Sequence, residues 1–307
     1  MKSRRKLVRR VFLVVALGAL VLLLWRQWDD VVESLQAVSP AALVVSIGFG
    51  ALGAGIPALI WRSLLISQGA RVGVGEACRT YFLSQLGKYV PGGVWSLVAQ
   101  VDFARDMRVP VRQAATATFL NLALNLIAGL VVAGCTIPFA VPGLLGRFWW
   151  AFLPIPLLLA LLHPRAITWW SGIAFRLLRK PATPVDLPWS VLLRCLALSV
   201  VGWVALGLHF GVLVAGLGPM EPSTWMLSIG VFALAWIAGF LVVIAPAGAG
   251  VREAALVLGF AGILPTAAVL TVALLSRVLL IAADVLLAGG TALVVRGRPV
   301  DVAPRSD

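Results

Sequence analysis

Apolar residues along this chain gather into long runs, at 11–24, 41–60, 114–132, 151–162, 191–217, 225–245 and 266–295. A run of about 20 apolar residues matches the length of a helix crossing a hydrocarbon core. Polar and charged residues fall mainly between the runs. The longest polar stretch, 171–188, is too short to fold alone. The pattern predicts an all-α, polytopic helical membrane protein, with 1–307 forming one integral membrane domain.

Two of the apolar stretches are interrupted in the same way. The first contains Lys88, Tyr89, Pro91, Gly92 and Gly93; the second contains Pro246, Gly248, Gly250, Arg252 and Glu253. Pro91 and Pro246 stand at one fixed offset, and the same offset pairs Gly93 with Gly248, Pro110 with Pro265 and Gly134 with Gly289. This defines repeat halves of about 40–138 and 189–295, preceded by an extra N-terminal helix at 1–28. Interrupted segments at matching places in two halves point to the substrate site of a transporter. The break frees backbone groups that lipid cannot satisfy, so it must face protein or a wet cavity.

The charges between runs set an orientation. The N-terminus carries Lys2, Arg4, Arg5, Lys6, Arg9 and Arg10, and basic loops recur at 105–112, 165–180 and 296–298. Basic loops favour the cytoplasm. Asp29, Asp30, Glu33 and Glu221 fall on the other side. Segment 76–104 lies between two cytoplasmic points, and each of its arms is about 14 residues, or roughly 20 Å as helix. That is short of a span, so a re-entrant hairpin is expected there and, by repetition, at 223–264. The result is six full spans plus two hairpins, an inverted repeat with both termini in the cytoplasm. The arm 225–245, roughly 31 Å as helix, is long enough to cross outright. Seven or eight full spans is therefore the alternative.

Composition agrees: 61% of residues are hydrophobic and 12% charged, against about half and a quarter in soluble domains. The formal charge of +13 is spread over membrane-flanking loops, which argues against nucleic acid as a partner. Cys78, Cys135 and Cys195 are scattered, and His163 and His209 have no second ligand at metal spacing. No metal site, cofactor or disulfide framework is expected. The basic N-terminus and short apolar run resemble a signal peptide, but Trp25-Arg26-Gln27-Trp28 follows in place of a small-residue cleavage site. An uncleaved first helix is expected.

A few polar side chains sit within the apolar runs. Arg252 and Glu253 follow the second break, where the N-terminal N–H groups of a helix would favour an anion; a structural Arg–Glu pair capping that helix is the alternative. Lys88 and Tyr89 precede the first break, where Lys88 suits a phosphate or simply reaches the interface. Arg277 and Asp284 lie seven apart on one helix face, either as a self-satisfying pair or with Arg277 on a head-group phosphate. Asn121 and Asn125 share a face four residues apart, suiting a cavity or helix–helix glue. Trp95, Ser96 and Gln100 are further cavity candidates.

The run Leu83-Ser84-Gln85-Leu86-Gly87-Lys88-Tyr89-Val90-Pro91-Gly92-Gly93 and the run Pro246-Ala247-Gly248-Ala249-Gly250-Val251-Arg252-Glu253 resemble the transmembrane, flippase-like domain of the lysylphosphatidylglycerol synthases. Ala247 departs from the glycine common there. The resemblance implies binding or flipping of an anionic phospholipid or lipid-linked precursor, at the plasma membrane. The soluble aminoacyl-transferase domain of the synthases does not follow before Asp307, so aminoacylation is not expected. No catalytic residue is assigned. A lipid-modifying or glycosyl-transfer subunit and a non-catalytic scaffold remain as alternatives, with a membrane enzyme or a second copy as possible partner.

Overall fold

The computed structural model describes residues 38–90, 94–141, 187–242, 248 and 250–296, with isolated positions between 7 and 25 and between 156 and 172. The expected first helix, the return crossing at 149–162 and most of the basic loop after it lie outside the described residues. So do the break residues Pro91, Gly92, Gly93 and Pro246.

Eight α-helices have described bounds: α1 Pro40–Ser67, α2 Val74–Gln85, α3 Trp95–Phe103, α4 Val111–Ala140, α5 Trp189–Ala215, α6 Pro222–Leu241, α7 Val251–Gly259 and α8 Thr266–Arg296. Short 3-10 turns at Leu86–Tyr89 and Ala104–Met107 close α2 and α3. No strand occurs among the described residues. Helices α1, α4, α5, α6 and α8 are long and apolar enough to cross a membrane. Helices α2, α3 and α7 have 12, 9 and 9 residues, or about 18 Å at most, and cannot.

Local chemistry sets several of these ends. Ser39 caps α1 by accepting from the Ala42 N–H at 3.3 Å, and Pro40 occupies the first turn, where its missing N–H is no loss. Pro110 and Pro265 stand immediately before α4 and α8. The first residues of these helices, Val111 and Thr266, are separated by the same offset as the two break prolines. The offset read from glycines and prolines thus recurs between the starts of these two helices. The second broken segment departs from the first in one respect. Its leading arm, α6, runs 20 residues without interruption, about 30 Å, because the break begins only at Val242. That arm is itself one of the five helices able to cross.

Packing follows the same repeat. Helices α1 and α5 meet at the centre; α2 packs on α8 as α6 packs on α4; α1 packs on α8 as α5 packs on α4; α3 lies on α4 as α7 lies on α8. Exchanging the halves turns each contact into another that is present. Without water to drive apolar surfaces together, helices in lipid associate through close approach of small residues and interhelical hydrogen bonds. Both occur here. A methyl on Gly53 would fall 2.9 Å from the Gly202 carbonyl oxygen and 2.5 Å from Leu206, so α1 and α5 touch nearly backbone to backbone. Trp61 in one apolar cluster and Phe210, Phe232 and Phe260 in another are fully buried.

His209 of α5 ties three helices together. Its Nδ1 lies 2.9 Å from the Ser46 carbonyl oxygen and 2.8 Å from the Ser46 hydroxyl, and its Nε2 lies 2.8 Å from the Ser276 hydroxyl. A carbonyl only accepts, so Nδ1 carries the proton and Nε2 accepts from Ser276. The Ser46 hydroxyl donates to the His209 carbonyl at 3.0 Å. The imidazole is fully used as a structural link.

Candidate functional site: an amphipathic cavity between the halves

The contacts between the two halves enclose a partly open cavity of about 220 Å³. Residues at equivalent positions of the two halves line it together: Tyr81 with Trp236, Gln85 with Phe240, Leu97 with Arg252, Leu122 with Arg277 and Asn125 with Leu280. The cavity therefore sits at the centre of the repeat. The pairs are unlike in character, so its walls differ although the backbone repeats.

One wall is charged. Lys88, on the 3-10 turn before the first break, places Nζ 2.5 Å from Oδ2 of Asp284 on α8. The neighbouring Tyr89 hydroxyl donates to the same oxygen at 2.5 Å. Arg277, one α-helical stretch earlier on α8 and 7% exposed, pairs with Glu253 at 3.2 Å. The other oxygen of Glu253 accepts from the Gly250 N–H at 2.6 Å, so this side chain caps α7 and neutralises Arg277 at once.

Two expected pairings are corrected by this geometry. Arg277 and Asp284 share a helix face, but each finds its partner on another element, Glu253 and Lys88 respectively. Likewise the salt bridge of Glu253 goes to Arg277 and not to its sequence neighbour. Adjacent residues on a helix point about 100° apart, so Arg252 and Glu253 face different surroundings.

Arg252 is left over. Its guanidinium lies 4.5 Å from the centre of the Phe232 ring, a cation–π contact, and it lines the cavity. Its Nη2 is buried without a hydrogen-bond partner. Among the described residues Lys88 forms a salt bridge with Asp284 and Arg277 with Glu253, whereas Arg252 forms none and lies over an aromatic face.

The break itself is built to bring Arg252 there. Gly248 has φ +70°, and a methyl on it would stand 2.7 Å from the Gly239 Cα. Both the left-handed backbone and the contact with α6 require glycine. Gly250 follows with φ +83° and supplies the N–H held by Glu253.

The remaining walls are of two kinds. Helices α2 to α4 contribute hydroxyl and amide groups from Gln85, Ser96, Thr118, Asn121 and Asn125. Asn125 Nδ2 donates to the Asn121 side chain at 3.1 Å, and Asn121 Nδ2 donates to the Pro57 carbonyl at 3.2 Å. Asn121 thus joins α4 to α1, Asn125 bonds within α4, and both line the cavity. Opposite stands an aromatic wall. Trp236 stacks on Phe240 at 5.6 Å and meets Trp203 edge-on at 5.3 Å.

Of the residues singled out from sequence, Lys88, Tyr89, Ser96, Asn121, Asn125, Gly248, Arg252, Arg277 and Asp284 line this one cavity. Glu253 and Gly250 support it from behind. Sequence reasoning missed Pro57, Tyr81, Gln85 and the aromatic wall. The spacing of Phe232, Trp236 and Phe240, every fourth residue on one face of α6, was the available signal. Pro57 lies within α1 and was hidden because a lone proline in an apolar run does not by itself mark a site.

The family described as the lysylphosphatidylglycerol synthase TM region matches residues 11–288. The chain belongs to this family, and with its five membrane-length helices it is a multi-pass membrane protein. No curated protein matches it.

Proposed function

We propose that this protein binds the anionic head group of a phospholipid or lipid-linked precursor in the cavity and carries it across the bilayer. The observation that carries the reading is Arg252, a guanidinium facing the cavity with Nη2 buried and unpartnered. An arginine at membrane depth costs roughly 2.5–3.5 kcal/mol on insertion scales. Its standing without a salt bridge among the described residues suits an anion that comes and goes. The mixture of charged, amide and aromatic walls suits an amphiphile, whose head would contact Arg252 and whose chains would trail past Trp236 and Phe240 toward lipid.

The transport cycle in this reading uses the repeat as an inverted one, with the two halves rocking about the shared cavity. Both termini then lie in the cytoplasm, and the membrane is the plasma membrane. The broken segments act as re-entrant hairpins, with α6 the deeper of their arms. We assign no catalytic step, since Asp284 and Glu253, the carboxylates at the site, are each held in an ion pair. A second copy or a membrane enzyme delivering the lipid is the partner this reading favours.

Translocation in reconstituted vesicles tests it. A fluorescent phosphatidylglycerol should become accessible to an external quencher in vesicles holding the wild-type protein, and Arg252→Ala should abolish this while purifying as a folded protein. Equal rates for protein-free, wild-type and Arg252→Ala vesicles would rule translocation out.

A further inference from the structure

We infer that Lys88 and Asp284 form a latch between the two halves, released when an anion bound at Arg252 draws Lys88 away. This rests on the anion site and the rocking motion proposed above, and adds what permits that motion only when the cavity is filled.

The pair crosses the repeat. Lys88 lies on the turn that closes α2 in the first half, Asp284 lies on α8 in the second, and α2 packs on α8. The Tyr89 hydroxyl donates to the same carboxylate oxygen, so one turn holds α8 through two adjacent side chains. The Arg277–Glu253 pair is different. It joins α7 to α8 within one half and does not oppose a motion between halves.

Exposure singles out Lys88 as the mobile partner. It lines the cavity with a side chain 37% exposed, whereas those of Asp284 and Arg277 are 7% and 8% exposed. Lys88 can change partner without unpacking a helix. Arg252 lines the same cavity, within electrostatic range of Asp284. An anion seated on its unpartnered Nη2 competes with Asp284 for Lys88. Parting the pair in an empty cavity strands both charges, one of them buried, which is strongly unfavourable. With an anion present Lys88 gains a new counter-charge, and Asp284 keeps the Tyr89 hydroxyl.

The latch has no counterpart across the repeat. At the equivalent positions stand Val243 for Lys88, Ile244 for Tyr89 and Gly129 for Asp284. None carries a charge or a side-chain hydrogen-bonding group. A motion that exchanges the roles of the halves therefore gives up this ion pair and forms no other at the matching place. A ligand shifts such an equilibrium only by binding its two states unequally. Lys88, engaged with Asp284 in one state and free in the other, supplies the inequality.

Paired spin labels test this in the intact protein, in neutral-detergent micelles and in a background without Cys78, Cys135 and Cys195. Cysteines at Val98 on α3 and Leu258 on α7 put one exposed label on each half, and electron–electron double resonance reads their separation. The empty protein should give one dominant distance, with any second below about 10%, the level of a minor state. Added phosphatidylglycerol should raise a second distance to about half, as roughly tenfold tighter binding to the unlatched state implies. Phosphatidylcholine, which has no net charge, should not. Lys88→Met should show the second distance without lipid. Native mass spectrometry of the same samples reports binding. Labelled protein with Lys88 intact that binds phosphatidylglycerol while its distances stay unchanged overturns the latch and leaves the anion site standing. That comparison decides even if Lys88→Met fails to fold. Folded Lys88→Met that keeps the single distance of the empty protein overturns the latch as well. Absence of any phosphatidylglycerol binding removes the anion site, and the latch with it.

Discussion

Lys88 and Asp284 meet 2.5 Å apart across the two halves, joining the turn before the first break to the last helix. The Asp284 side chain is 7% exposed and the Lys88 side chain 37%, so the pair is dry at one end and wet at the other. It tethers the first broken segment to α8. Lys88→Met should destabilise the protein because it leaves the buried carboxylate with the Tyr89 hydroxyl alone. The cost should fall below the roughly 3–5 kcal/mol of a fully buried pair, given the exposure of Lys88. Adding Asp284→Asn should restore part of the loss. Thermal unfolding in detergent of the two single variants and the double variant checks this, and strictly additive losses would mean the pair carries no coupling.

Glu253 should matter more for stability than its neighbour Arg252. Among the described residues it alone combines a helix cap with the neutralisation of a buried arginine. Glu253→Ala should cost about 1 kcal/mol for the cap plus a larger amount for the stranded Arg277 charge. Arg252→Ala removes a charge that forms no salt bridge among the described residues and should leave the melting temperature near wild type, or raise it. The reverse order of the two melting temperatures would contradict the partner assignment.

The two glycines of the second break should respond differently to alanine. Gly248→Ala meets both a left-handed backbone and the Gly239 backbone, so α6 and the break must separate and the protein should fail to assemble. Gly250→Ala has the same backbone sign but open space around the new methyl. It should cost only about 1 kcal/mol. Size-exclusion profiles of the two variants distinguish these outcomes.

Accessibility tests the hairpin reading of the second broken segment. In a background without Cys78, Cys135 and Cys195, single cysteines at Gly218 and Gly262 mark the outer ends of its two arms. A re-entrant hairpin places both on the extracellular face, where an impermeant thiol reagent should label both from outside. Labelling of only one from outside would mean that α6 crosses the membrane completely.

Much of this was legible in the sequence because the informative residues are those a membrane tolerates least. A proline-glycine interruption or a charge inside an apolar run is conspicuous, and the fixed offset between Pro91 and Pro246 carried through to the first residues of α4 and α8. Partner choice was not legible. Arg277 and Asp284 look self-sufficient along one helix, and only the approach of α7 and of the Leu86–Tyr89 turn reveals Glu253 and Lys88 as their counter-ions. The aromatic wall stayed hidden for a related reason. In lipid-facing and core-facing helices alike aromatic residues are common, so Trp236 and Phe240 gain meaning only when Gln85 and Arg252 are seen on the same cavity.

The most direct test is native mass spectrometry of the purified protein released gently from membranes. Wild-type protein should retain one anionic lipid per chain, Arg252→Ala should emerge without it, and Arg105→Ala, altered in the loop before α4, should retain it as wild type does. Retention of the same lipid at the same occupancy by Arg252→Ala would contradict a cavity organised around that guanidinium.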